Sequence, residues 1–230
     1  MKEESIYTRT EAMLGSAAIE RLRSARVIVF GVGGVGGFAT EALARAGVGH
    51  ITVVDSDKVS ISNLNRQIIA TQESVGMYKT DAIMQRIVSI NPDIEVKPLR
   101  IFYGEATAGE INFSDYDYVL DCIDSVRSKL LLIESAVAAG VPVISSMGTG
   151  NKLDPTRLSV TDISKTHTDP LAKVVRTELR KREINHLKVV FSDEPPLESS
   201  AGRTPGSVPF VPSVAGLIMA GEVIRELIAN

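Results

Sequence analysis

Cysteine is almost missing from this chain: Cys122 is the single one in 230 residues. One thiol excludes an internal disulfide framework and any multi-cysteine zinc centre, so no zinc is expected. An excess of charge of either sign is missing too. Lys and Arg number 25 against 28 Asp and Glu, a net charge of −3, which argues against bulk electrostatic adhesion to nucleic acid or membranes but leaves room for a local basic patch. Long apolar runs are absent as well. The opening stretch MKEESIYTRTEAMLG has none, so no secretory signal is expected. The most apolar late segment, VAGLIMAGEVIRELI, is broken by Glu222, Arg225 and Glu226, too short and too charged to cross a bilayer. A cytoplasmic protein with no membrane span is the expectation. There is no internal repeat and no clear linker.

What is present is an alternation. RVIVF (26–30) reads as a buried strand, followed by a glycine turn and the helical stretch FATEALARAG. HITVVD (50–55) is a second strand. From Lys79 to Ile90, Ala82, Ile83, Arg86, Ile87 and Ile90 recur at helical spacing until Asn91–Pro92 stops the run. IEVKPL, YDYVLDCID (116–124) and VPVISS supply three more strands, with the helix KLLLIESAVAAG between the last two. Strand–helix–strand order implies right-handed parallel crossovers, hence an α/β, doubly wound, Rossmann-like and mostly parallel sheet. After Gly150, RLSVTDIS and HLKVVFS read as strands in an antiparallel extension, with DPLAKVVRTELRKR as a basic amphipathic helix opened by Asp169 and Pro170. Residues 192–209, rich in Pro, Gly and Ser, read as a mobile loop before a final helix. One domain is expected, with residues 1–150 binding nucleotide and 151–230 facing the substrate.

The stretch GVGGVG places Gly31, Gly33, Gly34 and Gly36 directly after a strand and before a helix, the arrangement that brings backbone N–H groups against a phosphate. Asp55 follows about 20 residues on, where an acid can hold ribose hydroxyls. That much suits an NAD-dependent oxidoreductase. The next residues do not, because DSDKVSISNLNRQ (55–67) carries more polarity than a dinucleotide enzyme uses there. Arg66 and Asn63 suit a triphosphate, since a guanidinium forks onto phosphate oxygens and an amide donates to a third. Lys79, opening the next helix, can reach a β- or γ-phosphate. Asp124 ends the fourth strand beside Asp121, at the carboxyl edge where such sheets place ligands, and a carboxylate there can hold Mg²⁺. Together these point to a nucleoside triphosphate, with ATP as cofactor.

GVGGVG, VDSDKVSISNLNRQ, Lys79 and DCIDS together resemble the adenylating fold of ubiquitin-activating enzymes, molybdopterin-synthase adenylyltransferase and the thiamine sulfur-carrier adenylyltransferase. The resemblance implies that Asp55, with Asp57 nearby, lies at the ribose. It implies that Ser62, Asn63, Asn65 and Arg66 grip the phosphates with Lys79, and that Asp124, followed by Ser125, binds magnesium. YTR (7–9) resembles the family's N-terminal tyrosine-x-arginine, which implies a homodimer with Arg9 entering the neighbouring subunit's site. The small residues Ala215, Gly216, Ala220 and Gly221 of the final helix would permit close packing on another element.

Activators of the ubiquitin type pass an acyl group to a downstream cysteine. None follows Cys122 here, and Cys122 itself reads as a buried structural residue. The C-terminal half is similar to one branch, the tRNA threonylcarbamoyladenosine dehydratases, through SSMGTGNKLDPTRLSVTDISKTHTDPLAKVVRTELRKR and TPGSVPFVPSVAGLIMAGEVI. This implies ATP-dependent activation of a threonyl carboxylate on a modified tRNA adenosine, then ring closure with loss of water. The natural tRNA footprint is the run Lys165, Lys173, Arg176, Arg180, Lys181, Arg182 and Lys188. His50, His167 and His186 read as packing or solvated residues. Three rivals remain: an activator of a ubiquitin-like sulfur carrier, an NAD-dependent oxidoreductase, and a nucleotide-binding regulator without turnover. A monovalent cation and a sulfur-relay protein partner stay open.

Overall fold

The computed structural model describes residues 5–198 and 205–229. Seven strands form one sheet: β1 (Arg26–Phe30), β2 (His50–Val54), β3 (Glu95–Leu99), β4 (Tyr118–Asp121), β5 (Val143–Ser146), β6 (Leu158–Asp162) and β7 (Lys188–Ser192). Their spatial order is β3-β2-β1-β4-β5-β7-β6, and every pair is parallel except β6 with β7. The chain leaves β1 for β2 on one side and later returns to β4 on the other. The carboxyl ends of β1 and β4 are therefore a topological switch point, where doubly wound sheets open a crevice.

Period-two side-chain alternation builds two cores from single strands. In β1, Val27 and Val29 enter the core beneath α3 (Gly36–Ala46), α4 (Lys79–Ile90) and α7 (Phe210–Ala229). Ile28 and Phe30 enter the opposite core with α5 (Val126–Ala138) and α6 (Pro170–Arg180). Phe30 there stacks on Phe113 at 5.8 Å and meets Tyr103 edge-on at 4.9 Å. Two-sided burial explains why β1, β4 and β5 read as continuous apolar or small runs.

Helices α1 (Thr8–Leu14) and α2 (Ser16–Ser24) have no counterpart in the sequence reading. α1 buries none of its residues and α2 only Ala18, Ile19 and Leu22, so neither produces a strong apolar stripe. Helix α5 starts at Val126, earlier than its apolar pattern, because Ser125 stands at its N-cap. Strand β4 ends at Asp121 rather than Asp124, because the Asp121 carboxylate accepts the Ile123 N–H (3.1 Å) and turns the chain out of the sheet.

Two features read from the sequence find partners within the chain. Ala215, Gly216 and Ala220 are buried, and a Cβ on Gly216 would collide with the Val35 carbonyl. These small residues of α7 thus serve contact with α3 of the same chain, whereas a Cβ on Gly221 would meet open space. Lys188, read from the sequence as part of the basic run, already has acidic partners within the chain. Its ammonium pairs with Glu222 (2.9 Å) and Glu226, fastening α7 to the sheet. Of the loop expected at 192–209, residues 199–204 lie outside the described residues, and its described flanks are hydrogen-bonded as set out below. Among the described residues, no helix is long and apolar enough to cross a membrane.

Candidate functional site

A cleft of about 560 Å³ opens at the carboxyl ends of β1 and β4. Its floor is the glycine turn. Gly31 has φ 82° and donates to the Val54 carbonyl (2.8 Å), and a Cβ there would sit 2.9 Å from the Cys122 carbonyl. Only glycine fits both demands. Gly33 and Gly34 line the cleft. Gly36 is outside its lining; a Cβ there would strike the Gly31 carbonyl, so its absence of a side chain lets α3 start against the turn.

Asp55 lines the cleft and also braces it. One carboxylate oxygen accepts the Val32 N–H (2.9 Å) and the other the Asp57 N–H (2.9 Å), so the acid ties the glycine turn to the loop after β2. Burial raises its carboxyl above the usual carboxylate value, against the opposing pull of the Lys79 ammonium and these N–H groups. Lys79 is almost fully buried, and its ammonium meets Asp57 at 2.7 Å while its backbone N–H donates to the Asp57 carbonyl. With its ammonium anchored on an exposed carboxylate beside the cleft, Lys79 can exchange that partner for a phosphate.

The segment between β2 and α4 is closed at its base by a Lys58–Tyr78 bridge and the Val59 N–H to Met77 carbonyl bond. Within it, Asn63 is buried; its amide oxygen accepts the Ser60 N–H (3.0 Å) in a capping box, leaving the amide NH₂ for a ligand. Arg66 also lines the cleft, with one terminal nitrogen held by the Ser62 carbonyl (2.9 Å) and Asn65 Oδ1 (3.0 Å). Gln67 was not singled out from the sequence. It lines the cleft at 7% exposure, and its Oε1 is buried with no hydrogen-bond partner among the described residues. Buried amide oxygens nearly always accept a hydrogen bond, so Gln67 joins the candidate site residues; its only sequence signal is its place in NRQ.

Asp124 is exposed on the cleft's rim. Asp121 is not beside it in function. It is fully buried, and its carboxylate binds the equally buried Lys129 ammonium (2.7 Å) and the Ser145 hydroxyl (2.6 Å). Lys129 completes its set with Ser145 Oγ (3.1 Å) and the Ser146 carbonyl (3.0 Å). This satisfied network lies directly under the turn that presents Asp124. No group of three or more His, Cys, Asp or Glu side chains is arranged to hold a metal by itself among the described residues. Asp124 alone suits a hard cation that takes its remaining oxygens from phosphates and water.

The other expected residues fall elsewhere. Ser62 and Asn65 line a neighbouring cavity of about 610 Å³ that shares Arg66, Pro205 and Ser207 with the cleft. Ser125 caps α5. Arg9 lies exposed on α1, which Tyr7 docks: its ring packs on Gly47 and its hydroxyl accepts the Asn91 amide (2.6 Å). Those contacts sit at the amino ends of the strands, across the sheet from the cleft, so Arg9 is absent from its own chain's site. Cys122 packs its sulfur 3.9 Å from the Met219 sulfur, and burial with the adjacent Asp121 carboxylate pushes the thiol's pKa well up. It is not an activated nucleophile.

On the basic helix, Arg176 turns inward to the Thr166 carbonyl (2.9 Å) and hydroxyl (2.5 Å). Lys181 pairs with Glu178 (2.6 Å), and Arg182 with Glu178 (3.0 Å) and Glu134 (3.1 Å). Lys165, Lys173 and Arg180 are exposed, and Lys165 borders a groove along β6 with Arg157 and His167. Each histidine is occupied: His50 by Glu95 (3.0 Å), His167 by an edge-on contact with Phe191 (5.5 Å), His186 by Asp162 (3.3 Å).

Comparison with known proteins agrees with this geometry. The profile of the ThiF family matches residues 7–230. The chain is 47% identical to the tRNA threonylcarbamoyladenosine dehydratase of Bacillus subtilis (strain 168), covering 97% of this chain and 95% of that protein. It superimposes on the crystal structure of the E. coli tRNA N6-threonylcarbamoyladenosine dehydratase TcdA in complex with AMP with a TM-score of 0.90 and 33% identity, covering 96% and 93% of the two chains. The same enzyme's complex with ATP gives a TM-score of 0.89 and 32% identity, covering 97% and 93%. Similarity to the adenylyltransferase and sulfurtransferase UBA4 of Saccharomyces cerevisiae (strain YJM789) is 39%, over 65% of this chain and 34% of that protein.

Proposed function

Because the chain belongs to the ThiF family, we propose that it is an ATP-dependent dehydratase acting on threonylcarbamoyladenosine in tRNA. The observation that carries this reading is the convergence of the glycine turn, Asp55, Asn63, Arg66, Lys79 and Asp124 on one cleft, in a chain whose single thiol is suppressed. The threonyl carboxylate attacks the α-phosphorus of ATP and displaces pyrophosphate. The urea unit of the same modification then attacks the acyl carbon, releases AMP and closes the ring. The carboxylate oxygen leaves with AMP, so the nucleoside loses one water.

Such a reaction asks the protein for alignment and charge neutralisation. The glycine turn cradles phosphate on backbone N–H groups, and Asp55 sits where ribose hydroxyls can reach it. Arg66 and Lys79 stabilise charge on the β- and γ-phosphates as pyrophosphate departs. Asp124 would hold Mg²⁺, which supplies further neutralisation when bound. Arg9 completes the neighbouring subunit's site in a homodimer, which its exposed place far from its own cleft supports. Lys165, Lys173 and Arg180 meet the tRNA backbone. The rival reading, activation of a ubiquitin-like sulfur carrier, uses the same cleft, but the likeness to UBA4 covers only about two thirds of the chain.

The decisive experiment incubates the protein with ATP, Mg²⁺ and tRNA bearing threonylcarbamoyladenosine and analyses the nucleosides by mass spectrometry. Loss of one water is expected. An unchanged nucleoside, with adenylation of an added carrier-protein C-terminus instead, would favour the rival.

A further inference from the structure

Leu197 and Gly206, which flank residues 199–204 in the sequence, both hydrogen-bond to one residue, Asn151. Asn151, in the loop between β5 and β6, has φ 57°. Its carbonyl accepts the Leu197 N–H (2.7 Å), its N–H donates to the Gly206 carbonyl (2.8 Å), and its Oδ1 accepts the Gly206 N–H (2.5 Å). The adjacent Gly150 allows close approach, since a Cβ there would lie 2.8 Å from Pro205 Cβ. One residue further, the Ser207 carbonyl accepts the Asn65 amide NH₂ (3.0 Å), a bond between residues 142 apart in sequence. The cleft-lining residues Gly206 and Ser207 are thus held from behind, Gly206 by Asn151 and Ser207 by Asn65.

Asn65 connects this segment to the phosphate clamp. A side-chain amide has distinct donor and acceptor ends. With its NH₂ end committed to the Ser207 carbonyl, its oxygen is turned to Arg66, where it accepts a guanidinium N–H (3.0 Å). Freed from Ser207, the amide can rotate and present donors to a group that has only donors. From this chain of contacts we infer that Asn151 is a positioning residue for nucleotide: through Gly206, Ser207 and Asn65 it sets the orientation in which Arg66 meets the phosphates. Neither its sequence position nor its chemistry marks it as a ligand contact, and it acts without touching the phosphates. The inference rests on the cleft being a nucleotide site and is independent of which acyl substrate is activated.

The test is the dissociation rate of a fluorescent N-methylanthraniloyl ATP, followed by stopped flow. Asn151→Gly keeps the left-handed backbone and its two main-chain bonds but removes Oδ1. Loss of one such hydrogen bond corresponds to dissociation about 3- to 10-fold faster. Asn65→Ala, at an exposed side chain, breaks the same chain from its other end and should accelerate release comparably. A merely structural role for Asn151 would be independent of Arg66. The inference instead requires that Asn151→Gly add no further acceleration in an Arg66→Ala background. Acceleration in both single variants together with that non-additivity supports it. Unchanged release in the single variants, or an undiminished effect of Asn151→Gly without Arg66, overturns it. Failure of the parent protein to bind the probe at all would instead remove the nucleotide reading of the cleft.

Discussion

The cleft and the α6 face both carry many charges, yet they dispose of them differently. At the cleft, charged groups from the segment after β2, the start of α4 and the turn after β4 meet around a common volume. On α6, much of the positive charge is spent locally: Lys181 and Arg182 on Glu178, and Arg176 on Thr166. A run of basic residues therefore counts for less than convergence. Charges within one helical turn tend to pair with one another, whereas charges brought together from distant segments do so only because the fold places them there.

Two lysines at and beneath the cleft differ in the same way in their partners. Lys129 serves a sealed network, so Lys129→Ala leaves the Asp121 carboxylate buried and unpaired. A loss of about 3–5 kcal/mol in stability is expected, read by urea denaturation. Lys79, by contrast, faces ligand: Lys79→Ala and likewise Arg66→Ala should cut turnover by about 10²–10³-fold. Both variants should keep the parental circular dichroism; Arg66→Ala should also keep the unfolding midpoint, because its side chain is partly exposed, whereas Lys79→Ala removes an almost fully buried side chain and should lower it. Near-parental turnover in either one would remove that residue from the clamp.

Subunit mixing sharpens the contrast between Arg66, in its own chain's cleft, and Arg9, remote from it. Arg9→Ala and Arg66→Ala subunits should each be inactive alone. Exchanged at random, they should regain roughly a quarter of parental activity per total site if the sites act independently. No recovery despite confirmed exchange, or a monomer mass by light scattering, would detach Arg9 from catalysis.

Smaller effects separate the cations of the basic face. Removing Lys165, Lys173 or Arg180 should weaken tRNA binding and lower the slope of log affinity against log salt by about 1 each. Lys181→Ala, whose ammonium already has a carboxylate, should change that slope less. Equal effects at all four positions would restore the whole helix as the footprint. The smallest effect expected is at Cys122, where Cys122→Ser should retain turnover within about a factor of two, since one surface-independent substitution of similar size disturbs little. A folded but inactive variant, with a thioester trapped in the parent, would transfer the chemistry to the thiol.

Much of the fold was legible because its signals are local. β1 and α4 have the bounds their patterns imply, Arg26–Phe30 and Lys79–Ile90, since alternation and helical spacing within a dozen residues already determine which side is buried. The cleft residues Gly31, Gly33, Gly34, Asp55 and Asp124 were legible for a related reason: each stands just after a parallel strand's carboxyl end, where the topology requires a crevice; Asn63, Arg66 and Lys79, further along the β2–α4 connection, were legible from their chemistry. α1 and α2 were not, because a helix that buries little leaves little pattern.

By itself, then, the sequence determined the doubly wound sheet, the glycine turn and the chemistry gathered at its edge. Only the tertiary structure decided which polar groups were free to use that chemistry. Lys188 reads as a nucleic-acid contact, and only the fold shows Glu222 and Glu226 of α7 beside its ammonium. Asp121 looks like a partner for Asp124 until Lys129 claims it. Asn65 reads as a phosphate ligand, and only the fold shows that its amide also has the Ser207 carbonyl, far along the chain, as a partner. Residue type and spacing state what a side chain can do, but a hydrogen bond or ion pair has a second partner, and that partner's position is a property of the folded chain.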